Sequence, residues 1–327
     1  MFVLLTVLPL SRLILSDGSN CNMNGESYVN DPIISNIKDC IFINYHTAIY
    51  GSVISISSSL LISVTDSSFF NCSSSKGCGA IYYFCDSGKD IVLSRICAST
   101  CFTTTQSSYY QFSYLRTGSK FINLSMITMI KCAPDSVITR NEVFSTQNGY
   151  QNLKNMNITS NRANIMSGMR LESATTLEIS HSTFSQNTAD YAWCLSIYSS
   201  SNSPKLEFSN FVNNQHLHQS LGTLLLYSYT YLTIRSSFFK NNPQCLFELS
   251  SSSLTVYTSV IVHNNQVANI PISTDESNII TQNLNTETMP LSHYSSNQCN
   301  NLIVLPTLRS KILVPVTVFA SPIIYWV

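Results

Sequence analysis

The sequence predicts an all-β protein, a right-handed, single-stranded parallel β-helix of about nine coils with a period of about 28 residues. Three observations favour this fold class. A short motif recurs at nearly constant spacing, apolar residues two positions apart precede it, and the helix-favouring residues Ala, Glu and Lys are sparse. Charged residues are 10% of the chain, against about 25% in an average soluble protein, whereas hydrophobic residues are 44%. The chain can therefore bury a core, and its uncharged polar residues suit β surfaces and turns.

The recurring motif is an apolar residue followed three positions later by Asn or Cys. The spacings between its nine copies are 28, 29, 31, 29, 26, 27, 28 and 22 residues. A unit of this length suits one coil of a solenoid and is shorter than a propeller blade of about 40–50 residues. The apolar residues of the nine copies are Ile41, Phe69, Ala98, Met129, Ile158, Phe184, Phe211, Phe239 and Ile261.

Strand spacing precedes each motif. The position five residues before the apolar residue is apolar in eight of nine copies, and the position seven before it in seven of nine. Apolar residues two apart form one buried face of a strand. Further short strand patterns, such as GAIYY, WCLSIYS and GTLLLYS, lie between the copies and are separated by Ser, Asn and Gly turns.

Stacking of the coils predicts two buried columns, because neighbouring coils lie about 4.8 Å apart. One column contains core anchors, namely Phe69, Phe184, Phe211 and Phe239. The other is a structural ladder in which every buried amide must find a partner. Its expected members are Asn44, Cys72, Cys101, Cys132, Asn161, Asn187, Asn214, Asn242 and Asn264.

The eleven cysteines leave at least one thiol free or paired elsewhere. Cys72, Cys101 and Cys132 end successive motifs, which places their Cα atoms within the disulfide range. Stacked side chains run parallel, however, so a column of buried free thiols is at least as well supported. Cys78 and Cys85 are candidates for a local disulfide, although the sequence alone does not fix the connectivity.

The segment FFNCSSSKGCGAIYY, residues 69–83, resembles the F-x-x-N and G-G-A-I halves of polymorphic outer-membrane-protein-like repeats. These repeats occur in chlamydial surface proteins and in surface families of parasitic protists. The resemblance covers about residues 33–266 and implies a parallel β-helix displayed at a cell surface for adhesion or host contact. Only the copy from Gly77 to Ile81 has the full small-residue half, and Cys78 replaces a glycine there.

The leucine-rich-repeat solenoid is the alternative fold, since its repeat of 20–29 residues also ends in Asn or Cys. Its middle leucine falls two residues before the apolar anchor. That position is occupied by Ser67, Ser182, Ser209, Ser237 and Ser259 in five copies. We do not expect serine at a core position, and the β-helix is favoured.

The ends of the chain predict a secretory route. Residues 1–18 read as a signal peptide, residues 19–270 as the repeat domain, residues 271–301 as a polar linker and residues 302–327 as an apolar tail. The tail is interpreted as a membrane segment or a lipid-anchor signal, with a capping strand as the alternative. Possible glycosylation sites in a secreted chain are Asn71, Asn123 and Asn157.

The expected function is non-enzymatic contact with a surface ligand, a glycan or a protein, through an uncharged polar face. A carbohydrate-active enzyme on the same fold is the alternative, and it requires two carboxylates about 5–10 Å apart. Acidic residues are scattered singly along the repeats, and no catalytic, cofactor-binding or phosphate-binding motif is present. His216 and His218 are better explained as a polar turn than as metal ligands. The 17 basic and 17 acidic residues give no electrostatic case for nucleic acid.

Overall fold

The computed structural model is a parallel β-solenoid with a period of about 27 residues. It describes residues 28–29, 36–57, 61–87, 89–105, 110–132, 142–190, 193–199, 204–216, 223–227, 230–242, 246–262, 273–274, 278–281, 288–291 and 299. Every strand pairing among these residues is parallel and joins successive coils, as Ile158 does with Phe184. The predicted all-β parallel solenoid is confirmed, with about seven turns rather than about nine coils.

The strands are short and follow one another around each coil. In chain order they are β1 Tyr28–Val29, β2 Asn36–Lys38, β3 Ile41–Ile43, β4 His46–Thr47, β5 Ile54–Ile56, β6 Ile62–Phe70, β7 Ser73–Ser74, β8 Ile81–Cys85, β9 Ile91–Ser99, β10 Phe102–Thr103, β11 Tyr110–Thr117, β12 Phe121–Ile130, β13 Glu142–Gln147, β14 Tyr150–Lys154, β15 Asn157–Thr159 and β16 Arg162–Ala163. The later strands are β17 Met166–Ala174, β18 Thr176–Ser180, β19 Thr183–Ser185, β20 Thr188–Ala189, β21 Trp193–Ser199, β22 Lys205–Glu207, β23 Asn210–Val212, β24 Gln215–His216, β25 Leu224–Tyr227, β26 Tyr231–Arg235, β27 Phe238–Lys240, β28 Phe247–Ser250, β29 Ser253–Tyr257, β30 Val260–Val262, β31 Ser273–Thr274 and β32 Ile279–Thr281.

Three walls enclose the core. Wall A is a nine-stranded sheet in the order β1-β5-β8-β11-β13-β17-β21-β25-β28. Wall B contains β2, β3, β6, β9, β12, β14, β15, β18, β19, β22, β23, β26, β27 and β29 to β32. Wall C is two short three-stranded sheets, β4-β7-β10 and β16-β20-β24. A leucine-rich repeat would line one side of a horseshoe with strands. Strands on three walls therefore make that alternative wrong.

Each coil turns at two corners built from residues with positive φ, which is uncommon outside glycine and costs backbone energy. The corner within wall B uses Asp39, Asp66, Arg95, Met126, Asn155, His181, Phe208, Ser236 and Thr258. The corner between walls B and C uses Asn44, Asn71, Thr100, Lys131, Ser160, Gln186, Asn213 and Asn241. The residue after each corner points inward, so two inward columns arise from the corners themselves.

Serine lies inside the solenoid after the first corner, contrary to the sequence-based expectation. Ser182 is fully buried. Its Oγ accepts a hydrogen bond from the Met156 N–H of the previous coil at 3.2 Å and donates to the Ser180 carbonyl at 2.9 Å. Ser237 and Ser259 repeat this arrangement. The hydroxyl satisfies backbone groups that the tight corner leaves unpaired, which makes serine a suitable core residue there.

The predicted aromatic column lies in the core of wall B. Phe184, Phe211 and Phe239 are buried, and successive ring centroids are 4.8 and 5.0 Å apart, with interplanar angles of 7° and 11°. Phe69 stacks at 5.1 Å on Phe42, which occupies the anchor position of the first coil. Ile41 pairs instead with Ser68 and faces outward, so the sequence alignment of the first copy is shifted by one residue.

Two described parts of the C-terminal region, residues 288–291 and Cys299, lie against wall B. A disulfide joins Cys97 to Cys299, with Cα atoms 5.6 Å apart, and these cysteines cluster with Phe70 and Ile130. The Asn210 side chain donates to the Met289 carbonyl at 2.9 Å and accepts from the Met289 N–H at 3.3 Å. This segment, described at residues 288–291 and 299, is called the strap below.

The strands β31 and β32 pair with β29 and β30, and they extend wall B to Thr281. They lie within the stretch interpreted as a polar linker, so the stacked domain continues past residue 270. The predicted signal peptide at residues 1–18 and the apolar tail at residues 302–327 lie outside the described residues. Within the described part of the chain, no helix has the length and apolar character required to cross a membrane.

Candidate ligand-binding strip

The asparagine ladder is a continuous hydrogen-bonded column inside the second corner. The Nδ2 groups of Asn161, Asn187 and Asn214 donate to the Oδ1 of the next asparagine at 3.1, 3.0 and 3.0 Å. Each of these Oδ1 atoms also accepts the backbone N–H of the preceding ladder residue, as Asn214 Oδ1 does from Asn187 at 3.2 Å. The ladder amides are bonded to one another and to backbone, so their role is structural.

Cysteine takes the same ladder positions in three earlier coils. Cys72 and Cys101 donate weakly to the Phe42 and Phe69 carbonyls at 3.7 and 3.4 Å, as the asparagine amides do in later coils. Both, like Cys132, are buried free thiols. Burial raises the pKa of the Cys101 thiol well above its usual value, so this thiol is protonated and unreactive. Cys78 and Cys85 are also free, so the local disulfide considered above is absent.

Two predicted ladder members are not part of the described column. Asn44 is not in the column: it is a positive-φ corner residue whose Oδ1 accepts from Asn71 Nδ2 at 2.6 Å. Tyr45 occupies the inward position of that coil and is buried. The cause is the one-residue shift of the first copy. Asn264 lies outside the described residues.

The three candidate glycosylation sites differ in accessibility. Asn71 is exposed at a corner, and Asn123 on wall B is half-buried. Asn157 is only 4% exposed and lies in β15 beneath the outer surface of wall B. A glycan on Asn157 is incompatible with this packing, because the bulky group requires a surface position.

The outward face of wall A carries a line of half-buried and exposed side chains, one from each successive coil. We call it the strip, and its members are Phe84, Arg116, Gln147, Glu172, Tyr198 and Tyr227. Six strands about 4.8 Å apart give it a length of about 24 Å along the solenoid axis. Because side chains alternate along each strand, the intervening neighbours face the core.

Aromatic rings occupy both ends of the strip. Tyr198 and Tyr227 are 38% and 48% exposed, and their ring centroids are 5.6 Å apart. At the other end the Arg116 guanidinium lies 4.7 Å from the centroid of the Phe84 ring. The same guanidinium donates to both oxygens of Asp86 at 2.6 and 3.0 Å, which raises the Arg116 pKa.

The side chains at the centre of the strip are polar, and residues of the adjacent column bind them. Gln147 Oε1 accepts a hydrogen bond from the Tyr114 hydroxyl, and Glu172 is ion-paired with Arg170. Tyr114 and Arg170 belong to the adjacent outward column, in which Tyr114 is buried and Arg170 is partly covered. These partners fix the side-chain orientation of Gln147 and Glu172, so the strip is preorganised.

Arg170 also binds Glu142, which is 2% exposed. Burial raises the Glu142 pKa to about 7, although the Arg170 charge acts in the opposite direction. One carboxylate oxygen of Glu142, Oε2, is buried without a hydrogen-bond partner among the described atoms. The unpaired oxygen and the low accessibility explain why desolvation outweighs the ion pair.

Sequence reasoning anticipated the ladder and the core anchors but not the strip. Glu142, Arg170 and Glu172 are separate in sequence and converge because wall A pairs equivalent positions of successive coils. His216 ends β24, whereas His218 lies outside the described residues. In the described part of the chain, no group of three or more His, Cys, Asp or Glu side chains is arranged to hold a metal ion.

No family model, curated protein or solved structure matches the chain.

Proposed function

We propose that this chain is a non-enzymatic binding protein of the cell surface or the secreted fraction, and that it contacts its ligand through the strip. The observation that carries the proposal is the pair of exposed rings, Tyr198 and Tyr227, beside preorganised polar groups on a regular wall. Exposed aromatic side chains with polar neighbours are typical of recognition surfaces. The resemblance of residues 69–83 to repeats of surface adhesins supports the same role.

The carboxylates near the strip argue for binding rather than hydrolysis. Glycoside hydrolysis needs two carboxylates that flank the scissile bond with substrate between them. Glu142 and Glu172 instead share the guanidinium of Arg170, and Glu142 is buried beneath the surface. A substrate cannot lie between them while that ion pair is intact. A turnover assay on polysaccharides with wild type and Glu142→Gln therefore accompanies the binding test.

The binding test compares two aromatic substitutions on the full chain. We expect Tyr198→Ala with Tyr227→Ala to abolish attachment to a panel of eukaryotic cell surfaces. The matched control is Phe208→Asn, an equally exposed ring on the far corner of wall B, where asparagine tolerates the positive φ. Equal attachment of the double variant and the control would contradict the proposal, as would reproducible cleavage of a polysaccharide that depends on Glu142.

Surface attachment through residues 302–327 is the second part of the proposal. Its support is the apolar composition of this tail and the leader-like N-terminal segment. Expression in eukaryotic cells of the full chain and of a version ending at residue 301 separates the possibilities. We expect the full chain with the membranes and the shorter chain in the medium. Equal release of both into the medium would refute the attachment.

A further inference from the structure

We infer that the ligand of the strip is an uncharged oligosaccharide that lies along the solenoid axis across several coils. The inference rests on the proposed function and adds the chemical class and the orientation of the ligand. Three features of the strip carry it, namely the pairing of its charges, the distribution of its aromatic and polar groups, and the absence of a free sheet edge along it.

Each charged side chain of the strip already has an ionic partner within the protein. Arg116 is bidentate to Asp86, and Glu172 is ion-paired with Arg170. A polyanionic ligand requires cationic side chains that are free to pair with it, and a cationic ligand requires free carboxylates. Breaking a hydrogen-bonded pair to accept either ligand exposes an unpaired charge. An uncharged ligand avoids this cost.

The polar groups lie at the centre of the strip and the rings at its ends. Protein–protein interfaces show the opposite arrangement, with charged residues depleted at the core and placed at the rim. Gln147 and Glu172 offer amide and carboxylate groups to hydroxyls, which act both as donors and as acceptors. Tyr198 and Tyr227, the two exposed rings of the strip, offer apolar surface to the C–H groups of a sugar unit.

The strip follows the axis for about 24 Å, with one side chain per coil at a spacing of about 4.8 Å. A linear ligand of several repeating units matches this geometry. An extended peptide would be the other linear candidate, but peptides bind sheets mainly by adding a strand to an open edge. The strands that carry the strip, from β8 to β25, are paired on both sides, so a peptide cannot add a strand along the strip.

The experiment titrates the full chain by calorimetry with neutral hexasaccharides, namely cellohexaose, chitohexaose, mannohexaose and xylohexaose, and with heparin and polygalacturonate. We expect binding to at least one neutral hexasaccharide, and binding of the matching disaccharide to be weaker by at least about tenfold, because it contacts only one end of the strip. Tyr198→Ala with Tyr227→Ala should weaken hexasaccharide binding by at least about tenfold. Phe208→Asn should leave the affinity within about twofold of wild type, and circular dichroism should show that all variants are folded.

The other outcomes separate this inference from the proposed function. Two results would overturn the ligand class alone. One is binding of only the charged polysaccharides. The other is that a chain which attaches to cells through Tyr198 and Tyr227 binds no neutral hexasaccharide. Neutral glycan binding that survives the Tyr198 and Tyr227 substitutions unchanged overturns both the strip and the inference. Equal affinity for the disaccharide and the hexasaccharide overturns the axial orientation.

Discussion

The asparagine ladder predicts a large loss of stability from one substitution, Asn214→Leu. Asn214 is 1% exposed, and its side chain makes five hydrogen bonds, one of which is a weak bond from the Cys194 thiol to Oδ1 at 3.5 Å. Its Nδ2 donates to the Phe184 carbonyl at 2.9 Å and to Asn242 Oδ1 at 3.0 Å. Its Oδ1 accepts from the backbone N–H and the Nδ2 of Asn187 at 3.2 and 3.0 Å.

Leucine has a similar size but restores none of these bonds. The Asn187 N–H would be buried without its partner, and the Phe184 carbonyl and the Asn187 amide would each lose a bond. A buried polar group left unpaired costs about 1–3 kcal/mol, and some groups keep a second partner, so we expect a loss of about 2–5 kcal/mol in the free energy of unfolding. The neighbouring coils should also lose stability, since each repeat is stabilised by its neighbours.

The assay is equilibrium unfolding in urea, followed by far-ultraviolet circular dichroism. The matched control is Gln215→Ala, which alters the next side chain along the chain, an exposed one, and should change stability by less than about 0.5 kcal/mol. If Asn214→Leu is as stable as Gln215→Ala, the ladder is not a stabilising element.

Three further predictions follow from the same structure. Phe211→Ala should destabilise by about 3–5 kcal/mol in the same assay, because it leaves a cavity between two stacked rings, and a loss below about 1 kcal/mol would contradict the packing. The raised Glu142 pKa means that the folded state binds the proton more tightly, so the free energy of unfolding should fall as pH rises from about 4.5 to about 7. Glu142→Gln should flatten this part of the pH profile, and an unchanged slope in that variant would show that Glu142 is not the titrating group. Cys97→Ser with Cys299→Ser should leave the circular dichroism spectrum intact but increase binding of a hydrophobic dye, because the strap no longer covers Phe70; unchanged dye binding would show that the disulfide does not hold the strap in place.

The period of the fold was predictable because the pattern recurs in many copies. Residues spaced two apart before each anchor indicate strands, and nearly equal spacings indicate stacking. A single copy was less reliable. In the segment from Ile41 to Tyr45 the motif matches only from Ile41, because Tyr45 is neither Asn nor Cys, yet pairing with the next coil makes Phe42 the anchor.

The serine column was not predictable from hydrophobicity. Ser182 and Ser209 are buried because the corner before each of them leaves backbone groups to be bonded, and a hydroxyl satisfies them. Sequence patterns report which residues prefer the core but not which polar groups the backbone geometry needs there.

The strip was not predictable from the sequence for a related reason. Arg170 and Glu142 are 28 residues apart, and the ion pair forms because β13 and β17 are neighbouring strands of wall A. The register also contains a bulge between Glu142 and Phe144, which a count of residues along the chain does not reveal. Sequence analysis expected an uncharged polar face, whereas the strip combines aromatic rings with internally paired charges.

The central claim is that ligand contacts the strip on wall A, and hydroxyl-radical footprinting of the full chain on its ligand tests it most directly. The oxidation rates of Tyr198 and Tyr227 are measured in the free and bound states, with Phe208 on the far corner as the internal reference. The account predicts that ligand protects Tyr198 and Tyr227 and leaves Phe208 unchanged. Protection of Phe208 with no change at Tyr198 and Tyr227 would contradict it.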